Sequence, residues 1–600
     1  MALPAAALAL FAGWSLLSAA WSDAAGRTLL EACRVLPYLL TLLVFSASPW
    51  SPLRLRRAAG GFALAAVVVA VAALASRLAP DVFPTSANIQ PDRLSFPLTY
   101  WNALALLAGI GLVICFAFSA ETSGARGVRA IAAGAIPLLT VTLLLTYSRG
   151  GVAITVLMLA IYLALARSRS AVVTLLACAP PAAVALIAAY RADLLASAEP
   201  STAAAAAQGH RVAAVVIAST VAAAALQMLL VARVEARLAV PAALARGLQQ
   251  RRTRWILALV CAAVVAVPVI RAVAHQVDGF SARPSAAALA DTRERLSDPS
   301  SNGRVEYWRA ALDGFRESPL NGTGAGTYQL DWWRYREVAQ TVTEAHSLYL
   351  QALGETGIVG LVLVAAALVP LLVALVSRLG GPQRPLVAAL VACAAGWLIH
   401  AALDWDWQLG AVTLWLFALG GIALARSPDA TPTRPPLRLA ARAARGAGLI
   451  VAAGVPALAA VSQSQLDSGL NAYDRGDCFA AVDAARTARA ALPPRAEPRM
   501  LLGWCATRGG HAAEAIGDLR AAVARASADW ETHYDLAVVL AANGRDPRAE
   551  AAAARRLNPL EPAVQQLVGS FSGSDPRTWK RPALGASLFM NGLPYPPLGG

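Results

Sequence analysis

Long apolar runs alternate with short polar segments along most of this chain, and the pattern predicts thirteen membrane-spanning helices. An α-helix needs ~20 apolar residues to cross ~30 Å of hydrocarbon. The predicted spans are 3–20, 29–47, 58–78, 98–118, 128–146, 151–166, 171–190, 211–231, 255–274, 356–376, 385–403, 410–425 and 446–462. We therefore expect an all-α, polytopic membrane protein.

Composition and charge support this interpretation and orient the chain. Hydrophobic residues make up 57% and charged residues 14%, against roughly 25% charged residues in soluble domains. The net charge of +15 comes from arginines that cluster after the even-numbered spans. Because cytoplasmic loops are the basic ones, this distribution argues against nucleic-acid binding. It predicts a cytoplasmic N-terminus, a large outer loop at 275–345 and a basic cytoplasmic linker at 427–445. Residues 3–20 lack a basic leader, so we expect a first membrane helix and not a cleaved signal peptide.

The chain beyond the last predicted span, 446–462, contains an internal repeat. Small residues recur every 34 positions in three series, namely Gly469, Gly503 and Ala537, then Gly476, Gly510 and Gly544, then Ala481, Ala515 and Ala549. This period resembles tetratricopeptide repeats, whose helix pairs stack into a solenoid with a concave binding face. We expect such an outer solenoid at 463–563, either binding a partner or serving as a spacer at the membrane surface. The Pro- and Gly-rich residues 564–600 predict an irregular tail.

Seven cysteines divide into two groups. Cys33, Cys115, Cys178, Cys261 and Cys393 lie in apolar spans, where a cysteine is usually a small buried hydrophobe. No C-x-x-C motif occurs, so zinc and thioredoxin-like chemistry have no ligand set. Cys478 and Cys505 fall in neighbouring repeats, and an oxidising compartment permits a disulfide between them. Sequence gives no distance between the two residues, so this pairing stays open.

The one long polar segment among the spans, residues 301–360, is where we expect chemistry. Arg304 and Trp308 share a helical face, so Arg304 either reaches an anionic group or packs on the aromatic ring. Gly322, Gly324 and Gly326 form either a phosphate-binding nest or a tight turn, and we favour the turn. His346 stands where the next apolar helix begins. A histidine there can act as a base near pH 7, although a lone interfacial histidine is more often structural.

Two further groups lie at predicted outer turns. Arg149 stands between two apolar spans with almost no loop, and an ionisable residue there is costly unless it is paired or functional. The alternative is an arginine that reaches to lipid headgroups. Asp404 and Asp406 have a spacing that could hold a divalent cation with a nucleotide sugar. Nucleotide sugars are cytoplasmic and this turn faces outward, so we favour a structural or substrate-orienting acidic pair.

Taken together, four motifs resemble the O-antigen ligase and polymerase superfamily of bacterial membrane glycosyltransferases. These are the segments YSRGG at 147–151, NGRVEYW at 302–308, SPLNGTGAG at 318–326 and AHSLYLQALGETGIVG at 345–360. The resemblance covers about residues 1–426, and repeats are a frequent appendage of such proteins. The N-terminal part of this chain is short in comparison with that of the family. We therefore expect that one or two spans that relatives carry before this point are missing here.

The resemblance implies transfer of a glycan from an undecaprenyl-pyrophosphate carrier to an acceptor hydroxyl, at the outer face of the bacterial cytoplasmic membrane. It implies no cofactor, no metal and no nucleotide sugar. Arg149 and Arg304 match arginines that hold the pyrophosphate, and His346 matches the catalytic base. Supporting roles are assigned to Tyr147, Trp308, Arg309, Gly322, Gly324, Asp404 and Asp406.

Three functions stay open at this point. The protein is a ligase that moves a finished glycan to a lipid, wall-polymer or protein acceptor, or a polymerase that joins repeat units on the carrier, and the same residues serve both. Repeats on the outer side favour a protein partner or acceptor. The third function is a lipid-linked glycan transporter. Ion-coupled carriers place acidic residues mid-membrane, and the predicted spans are almost free of them, which argues against this alternative.

Overall fold

The structure is a computed structural model, and it describes residues 2–85, 91–166, 168–197, 201–233, 292–298, 300–381, 383–426, 439–573 and 575–599, with only the backbone of Ala2 and of residues 439–453. The predicted span 255–274 with Cys261, the start of the predicted outer loop and most of the 427–445 linker lie outside these residues. The described ranges include the other predicted spans and the whole repeat segment at 463–563.

Among the described residues, thirteen α-helices lie before position 427. They are α1 (Ala2–Leu17), α2 (Ala25–Ser46), α3 (Pro52–Leu78), α4 (Trp101–Ser119), α5 (Arg126–Leu145), α6 (Arg149–Ala166), α7 (Ser170–Tyr190), α8 (Ala203–Arg233), α9 (Arg304–Glu317), α10 (Tyr328–Tyr335), α11 (Leu348–Ser377), α12 (Arg384–His400) and α13 (Gly410–Leu424). The chain continues with α14 (Leu439–Asp474), α15 (Cys478–Ala491), α16 (Glu497–Arg508), α17 (Ala512–Val523), α18 (Trp530–Ala542), α19 (Arg548–Leu557), α20 (Pro562–Ser570), α21 (Pro576–Gly585), β1 (Leu588–Met590) and β2 (Leu593–Tyr595).

Hydropathy confirms a multi-pass membrane protein. Among the described helices, nine are long and apolar enough to span a bilayer, namely α1 to α8 and α11. The two shorter apolar helices, α12 and α13, match the predicted spans at 385–403 and 410–425. The predicted last span, 446–462, falls inside α14. The orientation of these helices stays a prediction.

The described helices divide into two compact units. The first contains Thr41–Gly303 and Val369–Ala430. Within it, α4 is buried along its whole apolar length and packs against α3, α5, α6 and α12. A helix that is apolar on every side is stable only when neighbours surround it, so α4 forms the centre of this unit.

The second unit joins the start of the chain, the outer-loop segment and the repeats, in Ala2–Leu40, Arg304–Leu368 and Thr431–Gly600. Trp333 from the loop packs edge-on against Trp530 of α18, with the ring centroids 5.8 Å apart. The Arg27 guanidinium of α2 donates to the Asp529 carboxylate at 2.9 Å. The Arg336 guanidinium donates to Asn558 Oδ1 at 2.8 Å. These contacts join the start of the chain, the loop and the repeats within the second unit.

The 34-residue period has a structural cause at each glycine series. Gly476, Gly510 and Gly544 have φ of 80°, 77° and 68° and follow the first helix of each pair. A glycine in this left-handed conformation is the common way to end a helix. Gly503 lies so close to the second helix of its pair that an added Cβ would stand 3.2 Å from the Ala515 carbonyl oxygen. Ala549, in the third predicted series, is exposed and makes no close helix–helix contact of this kind.

The prediction of an irregular tail at 564–600 was wrong. This segment forms α20, α21 and an antiparallel hairpin of β1 and β2, which adds two short strands to the otherwise helical elements of the described chain. Asn591 and Gly592 have φ of 55° and 80°, as a two-residue type I′ turn requires. The Asn591 and Gly592 N–H groups donate to the buried Glu531 carboxylate at 2.8 and 2.6 Å. The Asn-Gly pair was the sequence signal for this hairpin.

Replacing Glu531 with methionine should loosen this hairpin and destabilise the second unit. The Glu531 side chain is 1% exposed, and the substitution removes the carboxylate that accepts from two part-buried N–H groups, at about 0.5–1.5 kcal/mol for each hydrogen bond lost. Glu514→Met, at an exposed position of α17, is the matched control. Thermal unfolding of the purified full chain measures the effect, and equal melting temperatures for the two variants would contradict the account.

The two repeat cysteines are neighbours with reduced thiols in this structure. A hydrogen bond with Cys505 lowers the pKa of Cys478 to about 7, with Arg508 nearby contributing in the same direction and burial opposing it. Since the thiolate is the reactive form, Cys478 should react with a maleimide with a pH midpoint near 7. In Cys505→Ala, that midpoint should rise toward the ordinary ~8.5. Mass mapping of the labelled peptide measures this, and an unchanged midpoint would contradict the assigned contact.

Candidate functional site

In the first unit, a strained turn presents Arg149. Tyr147 is buried and has φ 49°, a conformation that costs ~1–3 kcal/mol and persists only where neighbours enforce it. Arg93 stabilises this conformation, because its guanidinium donates to the carbonyls of Thr146 and Tyr147 at 2.9 and 3.1 Å. The turn makes Arg149 the first residue of α6. Its guanidinium donates to the Ser300 carbonyl at 2.9 Å.

The helix start at Arg149 is suited to an anion. Arg149 is half-buried, so its charge is less screened by solvent than that of a surface arginine. The N-terminus of α6 adds a partial positive charge of roughly half an elementary unit. Guanidinium donors match the oxygens of a phosphate in pairs. This turn therefore has the chemistry of a phosphate-binding group.

Asp404 and Asp406 are buried in the first unit and bound to protein groups. Asp404 accepts from the Tyr100 hydroxyl at 2.6 Å and from Asn102 Nδ2 at 2.7 Å. Asp406 Oδ2 lies 2.6 Å from His400 Nδ1. An added Cβ on Gly150 would stand 3.8 Å from the other ring nitrogen of this histidine. The acidic pair therefore contacts polar side chains, and His400 lies near the Arg149 turn. The assignment of the pair as structural or substrate-orienting stays a prediction.

In the second unit, His346 stands in a strained and well-supported position. It has φ 51°, lies two residues before the start of α11 and is half-buried. The Tyr307 ring lies 5.4 Å from the imidazole, centroid to centroid. Trp308 Nε1 donates to the His346 carbonyl at 3.4 Å. Strained residues of this kind cluster at functional sites, and the assignment of His346 as a catalytic base stays a prediction.

Arg304 and His346 both adjoin Tyr307. Arg304 opens α9, and Tyr307 lies one turn later on the same face. Burial raises the pKa of the Tyr307 phenol, and the charge of Arg304 opposes that rise. The side chain of Arg309, by contrast, is exposed on α9. The structure thus places the Arg304 side chain and the His346 imidazole near one buried ring.

Amide groups of the glycine turn already have protein acceptors. Gly322 N donates to the Ser318 carbonyl at 2.8 Å, and Gly324 N donates to the Glu355 carbonyl at 2.8 Å. Gly326 N donates to the Glu355 carboxylate at 3.0 Å. These glycines allow close packing, since a Cβ on Gly322 would stand 2.4 Å from the Glu355 carbonyl oxygen. A phosphate nest would need those N–H groups, so the turn has a packing role.

Comparison with known proteins identifies the segment that carries these residues. Residues 200–365 match the family model described as O-antigen ligase. The chain contains an O-antigen ligase domain. The matched residues include Arg304 and His346, whereas Arg149, Asp404 and Asp406 lie outside them. None of the curated proteins compared with the chain matches it.

Three residues that support the candidate site were missed by sequence reasoning. Arg93 holds the Tyr147 turn, His400 contacts Asp406, and Glu355 binds the glycine turn. Each is an ionisable residue at the edge of an apolar run, and that signal had singled out Arg149. The same criterion, applied to every ionisable residue at the edge of an apolar run, would have identified all three residues.

Proposed function

We propose that the chain is a glycosyltransferase that moves a glycan from an undecaprenyl-pyrophosphate carrier to an acceptor hydroxyl at the outer face of the cytoplasmic membrane. The observation that carries this proposal is His346 in its strained position beside Tyr307, inside the O-antigen ligase domain. The multi-pass helices supply a place for the lipid tail, and the repeats pack beside the loop that holds His346.

In the proposed reaction, the acceptor oxygen attacks the anomeric carbon while the bond from that carbon to the pyrophosphate oxygen breaks. The acceptor proton moves to an imidazole nitrogen of His346, as in general base catalysis. Arg149 and Arg304 bind the pyrophosphate and stabilise the negative charge that develops on it. The carrier pyrophosphate leaves, and the glycan remains on the acceptor.

Purified full-length protein in liposomes, supplied with a lipid-linked glycan, distinguishes the candidate functions by product. A ligase forms one new bond to a separate acceptor, and a polymerase lengthens the glycan on its carrier. A transporter moves the lipid-linked glycan across the bilayer and forms no new bond. We expect a new glycosidic bond, and glycan translocation without such a bond would overturn the proposal.

A further inference from the structure

Residues 588–598 lie across a row of aromatic side chains on the first helices of the repeat pairs. Within this hairpin segment, Tyr595 packs on a ring of α16, with the centroids 5.5 Å apart. Phe589 packs on two rings of α18, at 5.1 and 5.3 Å. A further ring, from α14, continues the row at 5.3 Å. These side chains form an aromatic face that consists of Tyr473, Trp504, Trp530 and Tyr534.

Two carboxylates of α18 bind main-chain N–H groups of the hairpin segment. Asp535 accepts from the Phe589 N–H at 3.2 Å, and Glu531 accepts from the N–H groups of Asn591 and Gly592. In peptide recognition, main-chain hydrogen bonds supply affinity and side-chain pockets supply specificity. The hairpin segment makes both kinds of contact with α18.

The proline end of the segment is held by α14 and α16. The Tyr473 hydroxyl donates to the Pro596 carbonyl at 3.1 Å, and the Arg508 guanidinium donates to the Pro597 carbonyl at 2.7 Å. The same guanidinium lies 4.1 Å above the centroid of the Tyr473 ring. Because prolines preset an extended backbone, proline-rich segments bind well to surfaces lined with aromatic side chains. The stretch LPYPPL at 593–598 has this chemistry.

The hairpin segment covers the aromatic face from one side. Its Leu588, Met590 and Leu598 side chains are buried, whereas Leu593 is 59% exposed and Pro594 is exposed. The repeat helices beneath it pack against one another in succession, so their framework does not depend on the segment. Displacement of the segment would therefore leave these helices in place.

We propose that the aromatic face is a docking site for an extended segment of a partner protein that carries an aromatic residue beside prolines. The hairpin segment occupies this face as an intramolecular ligand, and such a partner displaces it. Repeat solenoids bind partners on extended surfaces, and the segment that already lies there shows which chemistry fits. This docking site is independent of the reaction proposed above.

A synthetic, fluorescently labelled peptide of residues 587–599 tests the aromatic face by fluorescence anisotropy. The protein is the purified full-length chain in which residues 588–598 are replaced by a glycine–serine sequence of equal length. We expect this variant to bind the peptide at least tenfold more tightly than the wild type, because in the wild type the tethered segment competes at a roughly millimolar effective concentration. The wild type should still bind the peptide weakly, since the segment is displaceable.

A second variant guards against misfolding of the first. Phe589→Ala combined with Tyr595→Ala removes the two rings that pack on the aromatic face and keeps the rest of the segment. It should also bind the peptide more tightly than the wild type does. Peptide binding no tighter in either variant than in the wild type would overturn the proposal. A wild type that binds no peptide at any concentration would show that the segment is not displaced.

Arg508→Gln, made in the glycine–serine variant, locates the bound peptide. We expect affinity to fall about tenfold, in line with the loss of one charge-assisted hydrogen bond. Arg520→Gln, at an exposed position of α17, is the matched control and should leave affinity unchanged. Equal affinity in the two substituted proteins would place the peptide outside the aromatic face.

Two further measurements test the assigned partner. A peptide in which the three prolines are replaced by alanine should bind about tenfold more weakly, since its free form is less ordered, and equal affinity would contradict the assigned chemistry. Sedimentation of the wild type and of the glycine–serine variant should give the same oligomeric state. A wild-type dimer that is lost in the variant would assign the aromatic face to the hairpin segment of a second copy and contradict the partner protein.

Discussion

His346→Ala should lower the rate of glycan transfer by about 100- to 10,000-fold, the range for loss of a general base. Affinity for the lipid-linked donor should stay near that of the wild type, because the arginines and not the imidazole bind the pyrophosphate. Transfer by purified protein in liposomes measures the rate, and donor binding is measured separately. The expected signature is a fall in turnover at nearly constant donor affinity.

Two controls separate chemistry from folding in this experiment. His511→Ala removes an exposed histidine that precedes α17, and it should transfer glycan at the wild-type rate. His346→Gln keeps a polar side chain of similar size at the strained position, and it should be as inactive as His346→Ala. Wild-type turnover in either His346 variant would show that this residue is not the base.

Arg304→Lys should slow transfer about tenfold to a hundredfold and weaken donor binding. The substitution keeps the charge but loses the paired, planar donors that match phosphate oxygens, and hydrogen bonds to charged groups are worth about 1.5–3 kcal/mol. Arg149→Lys should have a similar effect for the same reason. Steady-state transfer at varied donor concentration measures both constants.

Arg316→Lys is the matched control for Arg304→Lys. It lies on the same helix, α9, and pairs with Asp313 at an exposed position. Its turnover and donor affinity should equal those of the wild type. If Arg304→Lys kept both constants as well, paired recognition of phosphate by Arg304 would be wrong.

The membrane helices were predictable because their cause is local. Most of the described spans are apolar runs long enough to cross a bilayer, and the structure places helices at all of the predicted positions it describes. The series of Gly476, Gly510 and Gly544 was predictable for the same reason, since a position with positive φ at a helix end favours glycine. These features depend on neighbours in sequence and need no tertiary information.

Features that depend on distant contacts could not be predicted in this way. Tyr307 contacts the His346 ring, Trp308 donates to the His346 carbonyl and Gln351 accepts from the N–H of Ala345, and none of the three is an immediate neighbour of His346 in sequence. The shared core of the loop and the repeats depends on pairs such as Trp333 and Trp530. The hairpin at Asn591 was missed although its turn signal is local, because the surrounding prolines and glycines indicated an irregular segment. The assigned roles of Arg149, Arg304 and His346 stay predictions.

Acceptor-dependent release of undecaprenyl pyrophosphate tests the central claim most directly. Purified full-length protein is incubated with the lipid-linked glycan, with and without the acceptor, and the released carrier and the transferred glycan are counted together. The account predicts one carrier pyrophosphate released for each glycan transferred by the wild type, and almost none by His346→Ala. Equal release by the two proteins, or glycan movement without carrier release, would contradict it.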